Sequence, residues 1–361
     1  MSKITTLYEF KPNWAVRPGE IVAEYIQYYG WSQREFAHRL GLHENTVSNI
    51  IKSKDKITPE IAEKFARVFG MKTSFFINLQ ALYDESLPRQ IKSEELEKEK
   101  GILEKLPYLE MVKLGWVAKT QKIEEKLKNL YGYFAIASLS SLLKVGVGEI
   151  AYRKNEKRNF SPETLAIWLR KGEIESLNLE IPEFDKKKLE NSLEKVKRLT
   201  LKSFDEIKQE LKEILFECGV ILCYTPKLTN SCVNGASRWY GNNILIQISD
   251  SGKKEDIFWF TLFHEIGHVL KHLYNAKKKS FIDMEDEEKS EFEIEADDFA
   301  KDVLIPKANY SELIKNMLNE SAIKKFSLKE RVDIGVLVGR LCNDKYMNFS
   351  QADRFRKKIK F

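Results

Sequence analysis

Two histidines four residues apart, set in an apolar run, constrain this chain more than any other feature. His264-Glu265-Ile266-Gly267-His268 follows Ile257-Phe258-Trp259-Phe260-Thr261-Leu262-Phe263 and runs on into Val269-Leu270, a pattern that predicts a helix. On a helix, positions i and i+4 share a face about 6 Å apart, so the two imidazoles can converge on one ion. Glu265 falls beside that face, where its carboxylate can act as general base in metal-assisted hydrolysis.

A catalytic zinc ion (Zn2+) needs three protein ligands and one open position. His272 is too distant to be the third, because histidines at i, i+4 and i+8 span about 12 Å of straight helix. Glu291-Phe292-Glu293-Ile294-Glu295-Ala296-Asp297-Asp298-Phe299-Ala300 predicts a second helix with small alanines at its close-packing positions. Glu293 and Asp297 are again four apart, so one can ligate the ion while the other hydrogen-bonds a ligating histidine. Glu293 is the expected ligand and Asp297 the expected support. Glu295, on a different helical face, is the alternative ligand, and Glu291 is expected on a solvated face. Cys232 could reach a metal as a fourth, inhibitory ligand, although a buried, inert thiol is the ordinary reading.

At 361 residues the chain has room for two or three domains with their own cores. The net charge of +6 is mildly basic, which permits nucleic-acid binding without demanding it. The four cysteines form no Cys-x-x-Cys pair, and neither a signal peptide nor a long apolar span is apparent. These features imply a reduced, cytoplasmic protein with no membrane partner.

Residues 17 to 70 read as short amphipathic helices punctuated by glycine. Arg17-Pro18-Gly19-Glu20 opens a helix that Gly30 closes. Ser32-Gln33-Arg34-Glu35 is an expected capping box, with Phe36, Ala37 and Leu40 at helical spacing. Gly41-Leu42 turns the chain into a second helix, Glu44 to Lys52, with Val47, Ile50 and Ile51 inward, and Thr58-Pro59-Glu60 starts another that ends at Gly70. Two short helices about a glycine turn are the helix-turn-helix pattern, which reads double-stranded DNA. The expected DNA-facing residues are His43, Glu44, Asn45, Thr46, Ser48, Asn49 and Lys52, with Gln33 placed for a phosphate and Lys54 and Lys56 adding charge.

The expected fold class is α+β: an all-α helix-turn-helix domain over 1–83, a charged linker over 84–106, a helical connector over 107–188, and a zincin-like domain over 189–361. In the connector, Leu109 to Ala118, Ile123 to Phe134 and the stretch after Ser161-Pro162-Glu163 read as helices. Leu189 to Glu217 reads as one long amphipathic helix. Between 219 and 250 the period changes to two: 219–224, 233–240 and 244–248 are expected strands, with Gly241-Asn242-Asn243 as a hairpin turn. A strand edge there could align an extended peptide by main-chain hydrogen bonds, with Arg238 or Tyr240 among the candidates for stabilising an oxyanion.

Here the chain resembles two known families. Arg17-Pro18-Gly19-Glu20, Ser32-Gln33-Arg34-Glu35-Phe36-Ala37, Ile57-Thr58-Pro59-Glu60-Ile61-Ala62 and Phe76-Ile77-Asn78-Leu79-Gln80-Ala81-Leu82-Tyr83-Asp84 resemble the HigA-type antitoxins of the lambda-repressor-like (XRE) class. Over about 195 to 345, Phe258 to His268, Glu293 to Ala300 and Leu304-Ile305-Pro306 resemble the ImmA/IrrE metallopeptidases, where the first Glu of Glu-x-x-Ala-Asp/Asn-x-Phe-Ala supplies the third zinc ligand. That pattern maps onto Glu293. The resemblances imply a zinc metalloendopeptidase of gluzincin type tied to a DNA-binding regulator. Its expected partners are its own operator, a partner repressor or toxin that it cleaves, and a second copy of itself in a homodimer. The alternative is a HigA-like antitoxin or autorepressor whose zincin domain binds a toxin or senses a signal with little proteolysis.

Overall fold

A computed structural model describes residues 16–86, 93–146, 160–177, 179–274, 280–284, 290–315 and 319–361. The chain divides into two compact units, Met1–Ser93 and Glu94–Phe361.

In the first unit five helices follow in order: α1 (Pro18–Tyr28), α2 (Gln33–Leu40), α3 (Glu44–Ile51), α4 (Pro59–Phe69) and α5 (Thr73–Ser86). Their apolar stripes close on a core that includes Val22, Phe36, Val47, Ile50, Phe65 and Phe76, each almost fully buried. Thr58 caps α4 through its side chain, and Gly41 and Gly70 end α2 and α4 in the left-handed conformation that glycine adopts without a Cβ penalty. Ser32 caps α2 by accepting from the Glu35 amide at 3.1 Å, but the expected box is only half made. The Glu35 carboxylate instead binds Arg39 at 2.6 Å, one helical turn on. Gly19 is required by packing: a Cβ there would collide with the carbonyls of Ile50 and Ile51 at the end of α3.

The second unit is organised by a four-stranded sheet in the order β1 (Val220–Tyr224), β3 (Asn243–Ile248), β2 (Val233–Tyr240), β4 (Ser280–Met284). β1 runs parallel to β3, while β2 pairs antiparallel with both β3 and β4. The β2–β3 hairpin turns at Gly241 with φ +64. Helix Glu255–His268 packs on one face of the sheet with Glu291–Leu304 beside it, and both belong to the unit's largest core. Helix Pro162–Ser176 packs on the other face, where Gly172 lies so close to Gln247 that no Cβ would fit.

Four expected extents are revised. The stretch 84–106, a charged run expected as a solvated helix or linker, is helical where described, with α5 continuing through Ser86 and a helix over Ser93–Leu103, but it is not wholly solvated. Glu99 of that helix is buried and accepts hydrogen bonds from Tyr131, Ser138 and the Leu139 amide, which anchors the helix in the second unit. Residues 87–92 of the same stretch lie outside the described residues. The connector 107–188 is likewise not separate, since its helices share a core with Val233, Ala236, Ile282 and Met284 of the sheet. The single helix expected over 189–217 is two, Lys186–Arg198 and Phe204–Phe216, because Ser203 and Glu206 form a full capping box that starts a new helix. Likewise the helix expected over 109–118 stops at Lys113, ahead of Gly115 with φ +71.

Candidate functional site

The apolar run from Ile257 onward buries helix Glu255–His268, leaving His264, Glu265 and His268 at most 3% exposed. Ser290 caps the partner helix by accepting from the Glu293 amide, which puts Glu293 in the first turn. The two helices approach closely because Gly267 lies against Ala296, whose Cα would stand 3.3 Å from a Cβ on the glycine. This contact brings the two i, i+4 pairs together.

Three ligand atoms converge there. His264 Nε2 lies 3.0 Å from His268 Nε2 and 3.0 Å from Glu293 Oε2, and His268 Nε2 lies 3.4 Å from Glu293 Oε2. Zinc bonds to nitrogen and oxygen of about 2.0–2.1 Å set a tetrahedral edge of about 3.3 Å, so the triangle matches one face of a zinc tetrahedron. Asp297 Oδ1 sits 2.9 Å from His264 Nδ1, on the side away from that triangle. Glu295 does not join it, because its Oε2 lies 2.8 Å from His272 Nε2.

The electrostatics favour a cation. Burial alone would depress His264, but hydrogen bonds to Asp297 and Glu293 carry its pKa up to about 10. Burial opposes ionisation of Glu293, yet the two histidines hold its carboxyl well below the usual carboxylate range. Burial pushes Glu265 up to about 8, and neither of its oxygens has a hydrogen-bond partner among the described residues. Asp283 of β4 is pushed up to about 6, again mainly by burial. It shares with His264 and Glu265 a second group of converging ligand atoms.

The expected DNA-facing residues lie on and around α3. Gln33, Glu44, Asn45 and Lys52 are exposed, and Thr46, Ser48 and Asn49 are half-buried. Three of them have local work, among them Glu44, which pairs with Arg34 at 3.2 Å. His43 is the N-cap of α3 rather than part of the helix, with its Nδ1 accepting from the Asn45 amide at 3.3 Å. Asn49 donates to Asp55 at 3.0 Å, tying α3 to the loop after it.

Residues 23–76 match the family described as Helix-turn-helix, and residues 225–337 match the IrrE N-terminal-like domain, a peptidase family. The protein is a helix-turn-helix chain joined to an IrrE N-terminal-like domain. Over 68 residues it is 38% identical to YbaQ, an HTH-type transcriptional regulator of Escherichia coli (strain K12), an overlap of 19% of this chain and 60% of the relative. Over 64 residues it is 36% identical to YddM, another such regulator of that strain, covering 18% of this chain and 68% of the relative. The chain thus spans about 60% of the length of the first relative. Among solved structures, a HigA-family addiction module antidote protein from Coxiella burnetii is 32% identical, with 23% of this chain and 92% of that one covered and a TM-score of 0.21. Pseudomonas aeruginosa antitoxin HigA, solved with the higBA promoter, is 25% identical, with 24% and 95% covered and a TM-score of 0.22.

Within the IrrE-like domain, two residues considered for oxyanion stabilisation lie elsewhere. Strand alternation puts Gly235 and Ser237 on the face toward Glu265 and Arg238 on the other. Arg238 donates to the Leu169 carbonyl at 2.8 Å. Tyr240 packs with Ile221, Cys223 and Leu245. Cys232 also packs away from the ligand triangle, against the core under helix Pro162–Ser176. The sequence reading missed β4 altogether, and with it Asp283 and Phe281, whose ring stacks on His268 at 4.4 Å. The signal was faint: five residues between a lysine run and an acidic run, Ser280-Phe281-Ile282-Asp283-Met284, that do not alternate cleanly. Among the described residues no helix is long and apolar enough to cross a membrane.

Proposed function

We propose that this protein is a DNA-binding regulator carrying a zinc-dependent endopeptidase, which cleaves a partner repressor or toxin–antitoxin component. The observation that carries the reading is the ligand triangle of His264, His268 and Glu293 beside a buried, unpartnered Glu265. These three residues would hold zinc, which when bound supplies Lewis acidity at the scissile carbonyl and makes water acidic enough to attack. Glu265 takes the proton from the attacking water and returns it to the leaving amine. Its burial supports this, since desolvation raises the proton affinity of the carboxylate. Asp297 fixes the His264 ring and its tautomer. β4 is the last strand of the sheet on the side of the site, and Asp283 and Phe281 on it border the histidines. An extended peptide adding to that strand would bring its backbone past Glu265.

The helix-turn-helix domain binds double-stranded DNA in this reading, at the protein's own operator. α3 lies in the major groove, Asn45, Thr46, Ser48 and Lys52 face the bases and phosphates, and Gln33 holds a phosphate. The names of the curated relatives as transcriptional regulators support it. Binding as a homodimer would match a two-fold operator, and the protein acts in the cytoplasm.

The test combines metal analysis of the purified full chain, footprinting on its own promoter, and incubation with the repressor or antitoxin encoded beside it. Zinc should be stoichiometric, and Glu265→Gln should keep the zinc while slowing cleavage by about 10²–10⁴-fold. Equal cleavage by wild type and Glu265→Gln would remove the peptidase reading. Operator binding without any cleavage by the zinc-loaded protein would favour an antitoxin or autorepressor in its place.

A further inference from the structure

The chain of imidazoles does not end at the ligand triangle. His268 Nδ1 lies 3.0 Å from His272 Nδ1, and His272 Nε2 lies 2.8 Å from Glu295 Oε2. His272 is buried, and Phe292 stands edge-on to its ring at 5.0 Å. Phe281 is stacked on His268 and also lies 5.3 Å from His272, so the two rings share one aromatic wall.

The backbone changes pitch where this contact is made. Glu255–His268 is α-helical, and Val269–Leu273 is a π-helical turn. The wider turn alters the angle at which residue i+4 is presented, and such bulges in helices frequently accompany functional sites. Here the turn begins directly after His268 and contains His272.

Proton bookkeeping allows one arrangement. A His268 that offers Nε2 to a cation carries its proton on Nδ1 and donates it to His272 Nδ1. That nitrogen must then be bare, so His272 holds its proton on Nε2 and donates it to Glu295. Every nitrogen and the carboxylate is satisfied, with no proton left over. His264 has a carboxylate directly behind it in Asp297, whereas His268 has one behind an intervening imidazole.

We infer that His272 and Glu295 are positioning residues of the metal centre, a Glu295–His272–His268 relay that fixes the tautomer and orientation of the second histidine ligand. This rests on the metal reading proposed above. The relay also gives Glu295, two residues from Glu293, a place behind His272 without making it a ligand.

The experiment uses the full chain, with zinc affinity measured against a chromophoric chelator and the visible spectrum of the cobalt(II)-substituted protein as a second readout. His272→Leu should weaken zinc binding roughly ten- to hundredfold and shift the cobalt bands. His272→Gln should stay within about threefold of wild type, because a carboxamide can accept from His268 and donate to Glu295. Glu295→Leu, on the exposed end of the relay, should fall between these. If His272→Leu is unstable, the ordering of His272→Gln above Glu295→Leu still decides the matter. Wild-type affinity and an unchanged cobalt spectrum in both leucine variants would overturn the relay and leave the zinc site standing. A wild-type chain that takes up no zinc would overturn the metal reading, and the relay with it.

Discussion

Gly235 on β2 lies directly against Glu265, and a Cβ on the glycine would stand 2.6 Å from Glu265 Oε1 and 2.9 Å from Thr261 Cγ2. The bare backbone is therefore what leaves room for the buried carboxylate. Gly235→Ala should push Glu265 off its position without touching a ligand. A displacement near 1 Å can cost about 10²-fold in rate. The expected outcome is a loss of that order in kcat with zinc content unchanged. Normal turnover in Gly235→Ala would mean that the position of Glu265 does not limit the reaction.

Asp297 holds His264 from behind at 2.9 Å. Asp297→Ala should reduce zinc affinity by about 10–100-fold, and Asp297→Asn, which keeps an acceptor, should reduce it less. A sign follows for pH. With the metal-free His264 near 10, the ring is protonated at pH 7, and zinc must displace that proton. Affinity should therefore rise with pH through the neutral range. Calorimetry in buffers of different ionisation enthalpy should show proton release on zinc uptake at pH 7, and less of it in Asp297→Ala.

What was legible in the sequence was set by periodicity. His264 with His268, and Glu293 with Asp297, are spaced at the helical repeat, so their helices and facing sides could be read before any packing was known. β4 was not legible, because five residues carry little periodic signal and its partner β2 lies more than 40 residues earlier. Glu99 misled for a physical reason: a charged run normally means solvent, but this carboxylate is buried by a hydroxyl pair and a backbone amide more than 30 residues away. The helix length that excludes His272 as a ligand is that of a straight α-helix. The π turn at Val269–Leu273 holds His272 against His268, Nδ1 to Nδ1 at 3.0 Å.

Arg356 Nε donates to Asp256 Oδ2 at 2.8 Å, with both side chains less than a tenth exposed. Gly339 makes the space, since a Cβ there would collide with the Asp256 carboxylate. The pair clamps the C-terminal segment onto the start of the helix that carries His264 and His268. Removing one partner leaves an uncompensated buried charge, which costs about 3–5 kcal/mol. Arg356→Met should lose that much in denaturant unfolding of the second unit, and Asp256→Leu combined with Arg356→Met should recover most of it. Additive losses in the double variant would count against the clamp.

In the first unit, Gln80 braces the loop that follows α3. Its Oε1 accepts from the buried Ile57 amide at 3.0 Å, its Nε2 donates to Asp84 at 2.9 Å, and Asp84 binds Lys56 at 2.7 Å. Gln80→Ala would leave the Ile57 amide without a partner, at about 1–3 kcal/mol. The thermal midpoint of the helix-turn-helix unit should fall, and amide exchange at Ile57 should accelerate. Asp84 adds a pH signature. Its hydrogen bond from Lys56, and then that from Gln80, hold its carboxyl below the usual range. Its contribution is therefore present above the ordinary carboxylate range and is lost as pH falls through the lowered value. Asp84→Asn should be less stable than wild type at neutral pH, and the two melting curves should converge as the solution is acidified. A gap independent of pH would show that the Asp84 charge is not what braces the loop.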